Sequence, residues 1–351
     1  FTIIIAGTMA APEIITFSNE RPASKEEISV QVINASIQES ASYDFFLTRG
    51  NELSSIPTFQ LSSLQISESY LTPAAVNYHL QFSETGSSEI IWDSGPFQIA
   101  ETNSNPIFIL LDNFGTGPEA VRVIGYDNEK LVFPKDTTTS AIRIAHMIAD
   151  VGPLDVYVEG ELVDQNISFQ EVGIIKEIAP GNKVFSITSA GHSDNIILQE
   201  SLAVSPGDFH TVALINSMEE PLAVINTDSF RRIPQAMTLT ISNYSTNAAD
   251  ASIFVLETGQ DPSDSFPITQ QRFGQTTINT LPEKNYEFFV YNRLSNALLA
   301  GPLMLAASGE ALYRIYIADQ IDPSLPVQLL LGDDLDPPFE PFTNLDQNEG
   351  N

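Results

Sequence analysis

Apolar and polar residues alternate along most of this chain with the two-residue period of a half-buried strand. Ile28-Ser-Val30-Gln-Val32-Ile-Asn34 is a clear instance. Tyr43-Asp-Phe-Phe-Leu47, Tyr78-His-Leu80-Gln-Phe82, Ile90-Ile-Trp92, Ile107-Phe-Ile109-Leu-Leu111 and Val121-Arg-Val123 follow it. The same order of strands returns from Ile142-Arg-Ile144-Ala-His146 to Leu222-Ala-Val224, and again from Leu239-Thr-Ile241-Ser-Asn243 to Val327-Gln-Leu329. Asp127 and Asp228 are 101 residues apart, and Asp228 and Asp333 are 105 apart. A period of one small domain held over six strand positions predicts three tandem copies.

Each copy carries about seven short strands bounded by Gly, Pro, Asn and Ser, with no amphipathic helix between them, which predicts a two-sheet sandwich. The expected fold is all-β: three tandem immunoglobulin-like antiparallel β-sandwiches over residues 28–133, 140–233 and 236–335. The connectors contain Pro134 and Pro234 and are too short to act as free tethers. The acidic, Pro-rich residues 336–351 read as a tail without a core of its own.

Residues 1–20 stand outside the repeats as an N-terminal strand segment. Two β-branched runs, Phe1 to Met9 and Glu13 to Phe17, are split by Pro12, which interrupts any helix. Phe1, Ile3, Ile5, Ile15 and Phe17 would form an apolar edge that a monomer ordinarily avoids. The segment therefore reads as a candidate donor strand that completes a sheet of the next copy. Such a contact is head-to-tail and builds a homopolymer, a filament of subunits. The intramolecular alternative adds the segment as a strand to its own first sandwich.

Composition narrows the function classes. Of 351 residues, 42% are hydrophobic, as in a folded protein, while the formal net charge is -30. That field repels nucleic acid and anionic membrane surfaces. Cysteine is absent, which removes disulfides, thiolate metal sites and cysteine nucleophiles. No apolar run reaches the roughly 18 residues needed to span a bilayer. The chain begins at Phe1 rather than Met, which reads as the removal of a leader peptide.

The central copy carries a motif. His146, Asp150, Pro153, Asp155-Val156-Tyr157 and Gly160 stand within Ala141 to Asp228, which closes on Gly207-Asp-Phe-His and Pro221-Leu-Ala-Val224. Residues 141–228 resemble the DUF4397 family, a bacterial exported module of unknown function, although Ala149 stands where that family usually has Pro. Degenerate copies lie before and after it. The resemblance implies an extracellular or cell-surface setting. In the outer copies Asn34 and Asn243 replace His146, Asp44 persists, and Ser252 replaces Asp155. Residues exchanged so freely between copies read as strand-end caps and turn anchors, not as a catalytic set.

No H-E-x-x-H, G-x-S-x-G or Gly-rich phosphate loop occurs. Gly191-His-Ser-Asp194 places triad residue types side by side, whereas triads converge from separate segments, so it reads as a hairpin tip. The weak metal candidates are carboxylates suited to calcium: Asp261, Asp264, Asp333, Asp334 and Asp336. No other cofactor is expected. The sequence thus predicts a non-enzymatic structural or adhesive protein. The alternative is a monomeric carbohydrate- or calcium-binding surface module with a glycan or cell-surface partner.

Overall fold

The computed structural model describes residues 2–7, 12–18, 22, 24–36, 41–50, 54–74, 76–99, 104–112, 121–127, 130–132, 134–233, 235–320, 326–334 and 336–342. Strands dominate; the one helical element among these residues is the 3-10 turn Pro262–Asp264. The chain divides into two compact units, residues 1–140 and 141–351.

In the first unit, one sheet runs in the order Phe97–Gln98, Asn77–Glu84, Ser42–Arg49, Phe59–Ser62. The facing sheet runs Lys130–Val132, Val121–Asp127, Ile107–Asp112, Glu27–Asn34, Gln65–Ile66. Alternate residues from the two sheets meet in a core that includes Phe45, Tyr78, Phe82, Trp92 and Phe108. Phe82 and Trp92 stack there with ring centroids 5.2 Å apart.

The second unit repeats that plan twice. Ala141–His146 and Phe209–Asn216 lie at the centre of one sheet, facing the sheet that contains Leu154–Val158 and Gly181–Ser189 around Phe185 and Ile187. Ala236–Asn243 and Leu312–Asp319 do the same opposite Asp250–Glu257 and Asn285–Asn292, around Phe288 and Leu303. Among the described residues the strand pairs are antiparallel except for one parallel pair in each copy, the opening strand against the penultimate long one. Gln31 stands beside Ile107, Arg143 beside Thr211, and Thr240 beside Arg314. This register gives a residue-by-residue equivalence of the copies.

Two features differ from the sequence expectation. The opening segment is a hairpin: Thr2–Gly7 and Pro12–Phe17 pair with each other over six positions and form a two-stranded sheet of their own. It does not extend a sheet of the first sandwich. Each strand has apolar residues at both parities, so alternation alone leaves its partner open. Nor do residues 336–342 trail away, because Asp336–Phe342 pairs with Val327–Asp333 and widens the last sheet.

Candidate functional surfaces

The opening strands Glu27–Asn34 and Ala141–His146 are buried on both faces over nearly their whole length. One face is the sandwich core; the other needs a cover. In the first unit that cover is the N-terminal hairpin. Ile15 and Phe17, each 8% exposed, close on Ile33, Ala35 and Ile107, with Ile4, Ala6, Ile109 and Leu111 packed around them. The five residues expected to act together are therefore divided. Ile15 and Phe17 are buried within their own chain, Ile3 and Ile5 stand on the opposite side of the ribbon at 58% and 74% exposure, and Phe1 lies outside the described residues.

In the second unit the equivalent faces cover each other. Ala145, Met147, Ala213 and Ile215 of one sandwich meet Tyr244, Tyr316, Ala318 and Leu330 of the other. Beside this apolar layer lies a closed ring of four charges. Arg143 Nη2 is 2.8 Å from Asp334 and 3.3 Å from Asp228. Arg314 Nη2 is 2.7 Å from Asp228 and 2.9 Å from Asp334. Thr211 accepts from Arg143 Nε at 2.8 Å and donates to Asp228. All four charged side chains are at most 4% exposed. Burial alone would raise the Asp334 pKa; the two arginines outweigh it and hold the carboxyl below its ordinary value. Burial works against the charged form of Arg314 as well, yet the carboxylates keep its pKa well above the usual one. Burial also pushes the neighbouring Tyr316 phenol up.

This ring includes one of the calcium candidates. Asp334 is paired with two guanidinium groups, those of Arg314 and Arg143. Asp261 caps the turn Pro262–Asp264, accepting from Ser263 N at 2.8 Å, and that hydrogen bond lowers its pKa. Asp264 is exposed on the same turn, Asp333 ends a strand half-buried, and the Asp336 side chain is outside the described residues. Among the described residues no three His, Asp or Glu side chains converge as a metal cluster.

His146 and its counterparts form one recurring cap. All three are fully buried. His146 Nδ1 accepts from Ile148 N at 3.3 Å, which leaves the proton on Nε2, 3.2 Å from the Gly152 carbonyl. Asn34 accepts from Ser36 N at 3.1 Å and donates to the carbonyls of Ala41 and Leu61. Asn243 accepts from Ser245 N at 3.3 Å and donates to Ala248 O at 2.7 Å. In each copy the side chain takes the N–H two residues on and ties down the loop that follows. Burial lowers the His146 pKa, so the ring stays neutral. His146→Asn is accordingly expected to cost no more than about 1–2 kcal/mol in urea unfolding. A neutral buried His stabilises fully above the unfolded value of about 6.5 and less as pH falls below it, so the Asn variant should lose that slope.

The motif aspartates anchor turns in the same repeating way. Asp155 accepts from Asn166 N and Gly191 N, both at 2.8 Å. Asp44 accepts from Gly86 N at 3.0 Å. Gly86 and Gly191 have φ of 78° and 74°, where only glycine turns without strain. The third copy, with Ser252, closes its turn through Asn292, which accepts from Leu294 N and Ser295 N. Asp150 accepts from Met218 N at 3.0 Å. His192, Ser193 and Asp194 are exposed in the turn after Gly181–Ser189.

The first unit also has an open groove of about 710 Å³ along Thr58–Leu61 and Leu64–Tyr70. Tyr70, 39% exposed, stands edge-on to Phe59 there at 5.9 Å, among Gln60, Gln65 and Glu68. No helix among the described residues is long and apolar enough to cross a membrane.

No curated protein matches the chain. Among solved structures, the carbohydrate-binding module CBMbc (family CBM26) from Eubacterium rectale Amy13K, in complex with maltoheptaose, is similar at 9% identity. The likeness covers 57% of this chain and 98% of that one, with a TM-score of 0.20. The Bacillus anthracis TIE protein is similar at 9% identity over 92% of this chain and 72% of that one, also with a TM-score of 0.20. At such scores neither likeness bears on function. Residues 140–254, which take in the sandwich of residues 141–227 and the strands that open the next copy, match the family model described as Domain of unknown function (DUF4397).

Proposed function

We propose that the chain is a non-catalytic structural or adhesive component of an extracellular or cell-surface assembly, in which copies join through the N-terminal hairpin. The observation that supports this is the hairpin's second face. Ile3, Ile5 and Ile14 are 58%, 74% and 66% exposed on the side turned away from the sandwich. Glu13 is the one charged residue between Thr2 and Phe17, in a chain whose net charge of -30 makes copies repel elsewhere. An apolar strand ribbon with a single charge is a natural contact between copies. Transfer of a single donor strand would break the hairpin's own pairing, so the contact is assigned to the ribbon as a whole.

Ile5 and Ile14 are cross-strand partners, so Ile5→Lys with Ile14→Glu keeps a favourable pair while removing the stripe. Full-length protein is expected to assemble with rising concentration in light scattering and negative-stain microscopy, and the double variant to stay monomeric. A parent that never assembles, or a variant that assembles like it, overturns the reading.

The groove beside Tyr70 favours a second reading, a carbohydrate-binding surface module. Aromatic rings beside amides and a carboxylate suit a neutral sugar. Glycan binding abolished by Tyr70→Ala would support this reading, and an empty glycan array would end it.

A further inference from the structure

The three copies present three equivalent outer sheet faces, and their covers differ. The register aligns Ile33 and Ile109 with Ala145 and Ala213, and with Ser242 and Tyr316. In the second unit these positions pair one sandwich with its sister, and the charge ring locks the match. In the first sandwich the positions equivalent to Arg143–Thr211 and Thr240–Arg314 are Gln31 and Ile107, so the lock is missing and the face is more apolar. The hairpin occupies the place that a sister sandwich takes in the other two.

Among the described residues the hairpin's strands pair with each other and with no strand of the sandwich. Its hold on the face comes from side chains, chiefly Ile15 and Phe17. Nine residues separate Phe17 from Glu27, a tether that reaches roughly 30 Å when extended. A hairpin arriving from a second copy would make the same contacts, since it is the same hairpin on the same face. Only the tether distinguishes the two, which is the condition for a low-cost exchange.

We infer that the outer face formed by Ile33, Ile107, Ile109 and Leu111 is a hairpin-docking surface whose second occupant is the N-terminal hairpin of another copy of this chain. The inference concerns the inner side of the ribbon and goes beyond the assembly reading, which concerns its outer stripe; either can fail alone.

Complementation between two full-length variants tests it. Phe17→Asp has a hairpin that cannot dock on an intact face, and Ile109→Asp has an intact hairpin with a spoiled face. Neither forms the contact alone. Mixed in equal amounts, they can form it in one way, the hairpin of the second on the face of the first. With Ile5→Lys and Ile14→Glu added to both chains, so that the outer stripe does not assemble, size-exclusion chromatography with light scattering should give monomers separately and a 1:1 complex in the mixture, at least tenfold enriched over either self-pair. Two folded variants, judged by near-ultraviolet circular dichroism, that stay monomeric on mixing overturn the proposal. Should a variant fail to fold, the milder full-length pair Phe17→Ala and Ile109→Ala is mixed in the same way. A 1:1 complex formed only in the mixture supports exchange, and two folded chains that stay monomeric refute it.

Discussion

Replacing Arg314 with Met is expected to lower the stability of the second unit by about 3–5 kcal/mol, the scale seen when one member of a buried ion pair is removed. Arg314 contacts both Asp228 and Asp334, and all three are sealed from water by the facing sheets. Its loss leaves two carboxylates to share Arg143 in a medium where charge cannot be hydrated. Replacing all four together, Arg143→Met, Arg314→Met, Asp228→Leu and Asp334→Leu, is expected to be close to neutral. That variant buries no unpaired charge and recovers the desolvation cost. The urea midpoint of residues 141–351 within the full chain measures both. A single variant as stable as the parent would mean that the ring is hydrated in solution.

The same comparison carries a pH signature. Asp334 has a depressed pKa in the folded state, so its contribution is complete above the unfolded value of about 3.9. It is lost as pH falls through the folded value. The parent's urea midpoint should therefore drop steeply in acid, while that of the fourfold variant should drop less.

The sandwiches were legible in the sequence because each strand needs only its own alternation to reveal a buried face. Val30, Val32 and Phe45 announce the first core in this way. What alternation cannot reveal is the cover on the other face. Arg143 sits at a polar position of its strand and reads as solvent-facing, yet its partner Asp334 is 191 residues away in sequence. For the same reason Asp334 read as a calcium candidate beside Asp333. A signal was present in Asp228 and Asp334, which stand opposite Phe209 and Leu312 at equivalent places in two copies. Matching the repeats on Asp333 instead moved the register by one and hid it. The consecutive Ile3, Ile4 and Ile5 left the docking side of the hairpin open, since either parity supplies an apolar face. Ile4 proves to be the one that faces the sandwich. The His146 cap was readable because the copies themselves offered the Asn substitution.

The division of the chain gives the other large effect. If the connectors 133–140 and 231–235 join three separately folded sandwiches, a protease that cuts both frees three fragments of similar size. Trypsin has a site in each connector, at Lys135 and at Arg231 and Arg232. Lys135 is exposed close to the boundary of the two units, and its neighbours Asp136 and Thr137 are half-buried and held by hydrogen bonds to Asp93, with no apolar cluster to open first. Arg231 is exposed too, but its neighbours are not: Phe230 is 1% exposed, Arg232 4%, and Phe230 packs with Ala141, Phe209 and Leu312. A protease needs several consecutive residues free to extend into its cleft, so cutting at Arg231 requires this cluster to open first. If opening costs about 3 kcal/mol, the open form is on the order of a hundredfold rarer, and cleavage slows in proportion. Limited trypsin digestion followed by intact-mass analysis is therefore expected to cut at Lys135 and leave 136 onward whole through Arg231. In Arg314→Met, whose facing sheets are weakened, cleavage at Arg231 should rise sharply. Early release of three similar fragments from the parent would mean that the second unit opens in solution at little cost, and that its two sandwiches behave as separate domains.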